Sequence, residues 1–283
     1  MNPGDHDFVP LDSSASNSSP GPSDEPPAAQ AEDLSVPWGW LDVAMIVPVA
    51  VGTMFLIVML LAGGLALFHL SMPQLARPSS QLLFVAISAQ ILMEIALLGY
   101  LAAQIRWRES LPFWRTIGWR PLETGHLPRG VAYFGLVCGG ILLAAVVTLA
   151  SSAFPPKHPL PIEMVFRNRP LTVLFALTAV LVAPVVEETI FRGYLYPVAA
   201  RSFGRNAGIL FTGTLFGLLH GSQLWGGWWQ IGLLVLVGIL FTWTRAATRT
   251  VLSSFLLHVS YNSVQAVALL IAMFGPRHFP RIG

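Results

Sequence analysis

The sequence predicts an all-α, polytopic membrane protein, a bundle of about seven helices, and three observations carry that class. Of its 283 residues, 54% are hydrophobic and only 11% are charged. A soluble domain carries roughly 25% charged residues, more than twice as many. Long apolar runs recur along the chain, and the first, residues 43–68, holds 26 positions without a charge. At about 1.5 Å per residue that run makes about 39 Å of helix, enough to cross a hydrocarbon core of about 30 Å with some tilt. The runs are also continuous, not the short alternating stretches of a barrel, and in lipid only helices and closed barrels satisfy their backbone groups.

Residues 1–40 stand apart. They contain seven Pro, seven Ser and seven carboxylates with no Lys or Arg. Such a segment buries too little apolar surface to offset the entropy of ordering, so it reads as a disordered acidic tail ahead of a transmembrane domain at 41–283. It lacks a basic n-region, and the apolar run behind it is too long for a signal peptide, so the first span is expected to be retained.

Further spans follow at 81–105, 130–154, 171–200, 206–220, 228–244 and 250–274. The run at 228 is short and Gly-flanked, which leaves a re-entrant hairpin open. Trp38, Trp40, Trp225, Trp228 and Trp229 mark headgroup levels, where amphipathic rings settle. The stretch 106–120 mixes Arg and Trp around Pro112 and reads as an interfacial segment against anionic lipid. Nine Arg and Lys fall on the face that carries the tail and six on the other, which leans the tail toward the cytoplasm. The basic residues are 15 Arg and one Lys, Lys157, a skew that reads as genome composition and points to a bacterial plasma membrane. Net charge is +2, which offers no broad basic field for nucleic acid. Cys138 is the single cysteine, which excludes an intrachain disulfide and a Cys-ligated metal.

Ionisable groups inside a membrane are costly, so each is a functional candidate. Glu94 lies mid-way along the second span and reads equally well as a structural partner or a catalytic group. The fourth span holds Glu187, Glu188 and Arg192. On a helix Glu188 and Arg192 share a face at i, i+4, while Glu187 turns about 100° away. Two adjacent carboxylates in low dielectric cannot both ionise cheaply. An Arg that keeps Glu188 charged leaves Glu187 as the candidate general base. The fifth span ends in Phe216 and His220, and the seventh holds His258 and Asn262. Counted from span ends at 200, 206 and 250, Glu187, Glu188, Arg192, His220, His258 and Asn262 lie about 20, 18, 12, 21, 12 and 18 Å deep. All six therefore fall in a band of about 9 Å. Pro184, three residues before Glu187, removes a backbone hydrogen bond and opens room for water.

These residues resemble the CPBP family of intramembrane proteases, the CAAX protease and bacteriocin-processing group that includes type II CAAX prenyl endopeptidases and abortive-infection-like membrane proteins. The family pattern is Glu-Glu-x-x-x-Arg, Phe-x-x-x-His and His-x-x-x-Asn on successive helices. Here it stands as Glu187, Glu188 and Arg192, then Phe216 and His220, then His258 and Asn262, all within a protease-like core at 171–274. The resemblance implies a multi-pass membrane endopeptidase of seven to eight spans, acting on a membrane-associated or lipidated peptide. Glu187 and His220 would activate water, His258 and Asn262 would stabilise the oxyanion, and Arg192 would hold Glu188. Zinc stays open, with Glu187, His220 and His258 as its ligands if it takes part, although no His-Glu-x-x-His is present. A proton-coupled transporter and a catalytically idle scaffold are the competing classes. No matched pair of discontinuous helices favours the transporter.

Overall fold

The computed structural model describes residues 34–67 and 80–275, and among them every regular element is helical. Seven principal helices follow the chain. They are α1 (Trp40–Leu67), α2 (Ser80–Ala103), α3 (Arg129–Ala153), α4 (Arg169–Phe203), α5 (Arg205–Leu219), α6 (Trp228–Thr248) and α7 (Val251–Phe274). All but α5 are long and apolar enough to cross a membrane. The chain is a multi-pass integral membrane protein.

Two sequence expectations change in detail. The 206–220 run forms a helix, but its 15 residues reach only about 22 Å, short of a bilayer core. Gly204, at φ 84°, breaks the chain just before it, and at the other end the backbone leaves the helix through His220 into a turn. The 228 run is one unbroken helix of 21 residues, long enough to cross, so the hairpin reading falls. The 106–120 stretch adds no span. It is a wide π turn at Gln104–Arg108 and a one-turn helix at Phe113–Thr116. Phe113 and Ile117 are buried there while Trp107 is 85% exposed, as an interfacial segment requires.

Apolar side chains cover the outside, and the interior holds charged groups within an otherwise apolar core. Val47, Val51, Phe55 and Leu60 of α1 are all well exposed, whereas Glu94, Glu188, Arg192, Arg245 and His258 are buried. An apolar face of that extent would be an aggregation hazard in water. Against acyl chains it is the solvated surface.

Because lipid gives no hydrophobic drive for helices to associate, close backbone packing decides which of them touch. α5 and α6 meet through Gly213, Gly217 and Gly238. A Cβ on Gly213 would lie 2.4 Å from the Ile239 backbone, and one on Gly217 2.6 Å from Val235. Gly213→Ala is therefore expected to cost about 1–3 kcal/mol of stability, read as a lowered thermal midpoint in detergent. An unchanged midpoint would contradict this packing. α3 and α7 approach in the same manner at Gly140, where a Cβ would overlap Ser260.

The segment ahead of α1 is fastened to α4. Trp38 stacks on Tyr194 with ring centroids 4.7 Å apart and donates its indole N–H to the Tyr194 carbonyl. Arg201 donates to the carbonyls of Val36 and Trp38, each at 2.7 Å. Val36 and Trp38 are both buried. The rest of the 1–40 stretch, residues 1–33, lies outside the described residues.

α4 is the irregular helix. It widens into π turns at Thr178–Val182 and Glu188–Leu195. Each runs up to a proline, Pro184 or Pro197. A proline inside a helix has no N–H for the carbonyl four residues back and crowds it with its ring. Those carbonyls belong to Val180 and Gly193, inside the two wide turns. An extra residue per turn relieves the clash without ending the helix.

Candidate active site

The second π turn of α4 begins at Glu188, and its pairing with Arg192 is the fixed point of the site. Arg192 Nη1 donates to Glu188 Oε1 at 3.0 Å, with both side chains fully buried. The rest of the guanidinium fork is also satisfied. Nε donates to Thr242 Oγ1 at 3.2 Å and Nη2 to the Gly238 carbonyl at 2.9 Å, both on α6. The Phe216 ring lies 4.4 Å from the guanidinium carbon, a cation–π contact in a dry setting. Gly238 lacks the Cβ that would strike Phe216 and the Gly213 carbonyl, and this lets its own carbonyl approach. Thr242 and Gly238 carried no signal in the sequence, because Thr and Gly are ordinary residues of membrane helices.

Glu188 in turn orients α7. His258 Nδ1 lies 2.9 Å from Glu188 Oε1. An acceptor there assigns the proton to Nδ1 and leaves the Nε2 lone pair facing Asn262, whose Nδ2 is 3.2 Å away. Asn262 Nδ2 also donates to the Ala179 carbonyl at 2.7 Å. That carbonyl sits inside the first π turn of α4, so the proline-driven widening supplies an anchor for α7.

His220 is held from its own helix. Its Nδ1 is 2.8 Å from the Phe216 carbonyl, which again assigns the proton to Nδ1 and turns Nε2 outward. Glu187 stands between the two imidazoles. Its Oε1 is 3.8 Å from His220 Nε2 and its Oε2 is 3.7 Å from His258 Nε2. Both separations exceed a hydrogen bond and suit a shared water. Glu187 is half-buried on the wall of a cavity of about 830 Å³, which His220, His258 and Asn262 also line. Ala176, Ala179 and Ala183 of α4 keep that wall open opposite Ala266 and Leu269 of α7.

All six sequence-derived residues thus form one connected set. Arg192 and Glu188 lie behind, while Glu187, His220, His258 and Asn262 face the cavity. Glu94 is buried on α2 and is not among the residues lining the cavity, but Gln90, one turn before it, is. Gln90 went unnoticed in the sequence, where an amide among apolar residues has no spacing signature.

Glu187, His220 Nε2 and His258 Nε2 are the groups a zinc ion would need. His258 Nε2 accepts a hydrogen bond from Asn262 Nδ2 at 3.2 Å. Among the described residues, no group of three or more His, Cys, Asp or Glu is arranged to hold a metal.

Residues 169–264 match the family described as Type II CAAX prenyl endopeptidase Rce1-like. The matched region spans α4, α5, α6 and most of α7, and it contains all six candidate residues. The helices α1, α2 and α3, with Glu94 and Gln90, lie outside the matched range. Neither the curated proteins nor the solved structures offer a match to the chain.

Proposed function

We propose that this protein is an intramembrane endopeptidase of the CAAX-protease type, hydrolysing a peptide bond in a membrane-associated or lipidated peptide. The observation that carries the reading is the Glu187 carboxylate, unbonded and poised between two imidazole Nε2 atoms on the wall of a large apolar cavity. Amide hydrolysis needs a base for water, donors for the oxyanion and a proton for the departing amine. Glu187, assisted by His220, takes a proton from water, and the oxygen attacks the carbonyl carbon. The oxyanion accepts a hydrogen bond from Asn262 Nδ2, whose amide the His258 ring holds from one turn earlier on the same helix. Glu187 then passes its proton to the amine nitrogen as the C–N bond breaks. Arg192 touches no substrate and acts as a positioning residue, holding Glu188 under His258.

The test is a comparison of peptide termini, by mass spectrometry, in membranes carrying the wild-type protein or Glu187→Gln at equal abundance. A set of termini that depends on wild type and vanishes with the variant is expected. Identical sets would overturn the hydrolase reading. The mechanism is metal-free, so EDTA is expected to leave cleavage by the purified protein unchanged within about twofold. Cleavage lost on chelation and restored by zinc would overturn that part alone.

A further inference from the structure

Glu94 is a buried acid that the reaction above does not use. It lies mid-way along a membrane helix and is 6% exposed. Its one hydrogen bond comes from a neutral donor, Gln90 Nε2, at 2.9 Å to Oε1. The other oxygen, Oε2, is buried without a hydrogen-bond partner among the described residues. No basic side chain pairs with it there. An ionised carboxylate in such a place costs far more than one amide N–H returns. α2 also packs against the 183–187 section of α4, so a second charge here would oppose Glu187 at low dielectric.

The partner explains the acid. Gln90 precedes Glu94 by one turn and lines the cavity shared by Glu187, His220 and His258. A free Gln amide spins and presents either its oxygen or its nitrogen. With one N–H committed to Glu94, the Gln90 amide is held in one orientation. One acceptor oxygen and one N–H remain for the cavity, the complement of a peptide group. Packing alone would be served as well by Leu at both positions.

We propose that Gln90 binds the main chain of the peptide beside the scissile bond, and that Glu94, as a neutral carboxylic acid, is the positioning residue that fixes the Gln90 amide for that contact. This rests on the hydrolase reading for the identity of the ligand, but not for the state of Glu94.

Infrared difference spectra of purified wild type and Glu94→Gln at neutral pH test that state without any activity. The C=O stretch of a carboxylic acid, sensitive to D2O and absent from the variant, is expected. A carboxylate band in its place would overturn the proposal. Kinetics on a synthetic peptide spanning a cleavage point found in the membrane comparison test the positioning. Gln90→Leu and Glu94→Leu are each expected to raise KM about tenfold with kcat little changed, as losing one main-chain hydrogen bond does. Glu94→Gln keeps an acceptor for Gln90 and is expected to stay within about twofold of wild type. Both Leu variants should keep the wild-type thermal midpoint, which separates the effect from unfolding. Glu94→Leu at the wild-type KM, or Glu94→Gln as inactive as Glu187→Gln, would overturn the proposal. If wild type and Glu187→Gln leave identical termini, the hydrolase reading fails and the main-chain contact fails with it, while the infrared band still decides the state of Glu94.

Discussion

Glu187→Gln is expected to lower peptide-bond cleavage by about 10²–10⁴-fold, the usual contribution of a positioned general base, while the protein stays folded. Gln keeps the size of Glu and its polar atoms but cannot take a proton from water. The structure gives a reason for stability to survive. Among the described residues Glu187 makes no hydrogen bond, and its nearest imidazole nitrogens lie 3.7 and 3.8 Å away. The substitution therefore breaks no bond and removes a half-buried charge. Cleavage rates and a thermal midpoint in detergent, measured on the same preparation, check both halves. Cleavage by the variant at the wild-type rate would remove Glu187 from the mechanism.

Arg192→Met is expected to be the most destabilising single change in the site, by about 3–5 kcal/mol. Arg192 is fully buried, and three of its guanidinium nitrogens are bonded, to Glu188, Thr242 and Gly238. Without it Glu188, also fully buried, loses its ion-pair partner and keeps the His258 contact. The double variant Arg192→Met with Glu188→Gln is expected to recover most of the loss, because no charge then remains to be compensated. Lys is no substitute, since a single ammonium does not reproduce a rigid fork aimed at three acceptors. Chemical or thermal unfolding in detergent reads all three variants, and an Arg192→Met as stable as wild type would contradict the burial and pairing described above.

Much of the site is written in residue spacing. Glu188 and Arg192 stand one turn apart, and so do His258 and Asn262, so each pair meets on its own helix whatever the rest of the chain does. Straight helices place Glu188 about 6 Å deeper than His258, yet the two side chains are in hydrogen-bond contact. The π turns account for much of that difference. Residues 188–195 spend extra residues on each turn of α4 and so gain less depth than an α-helix would. Pro184 and Pro197 announce irregularity in the sequence, but whether a proline kinks, ends or widens a helix depends on what packs around it.

Hydropathy is enough to show that the chain enters lipid as helices and which few polar groups it carries there, because charge is too costly in hydrocarbon to be placed without a partner. It did not determine which helix faces touch. A membrane helix is apolar toward its neighbours and toward lipid alike, so no amphipathic pattern separates inside from outside. Folding brings Gly213 and Gly217 of α5 against α6, turns the Gly238 carbonyl to Arg192, and stacks Trp38 on Tyr194 across 156 positions of sequence. Those contacts depend on close approach of backbones and rings, which hydropathy does not encode.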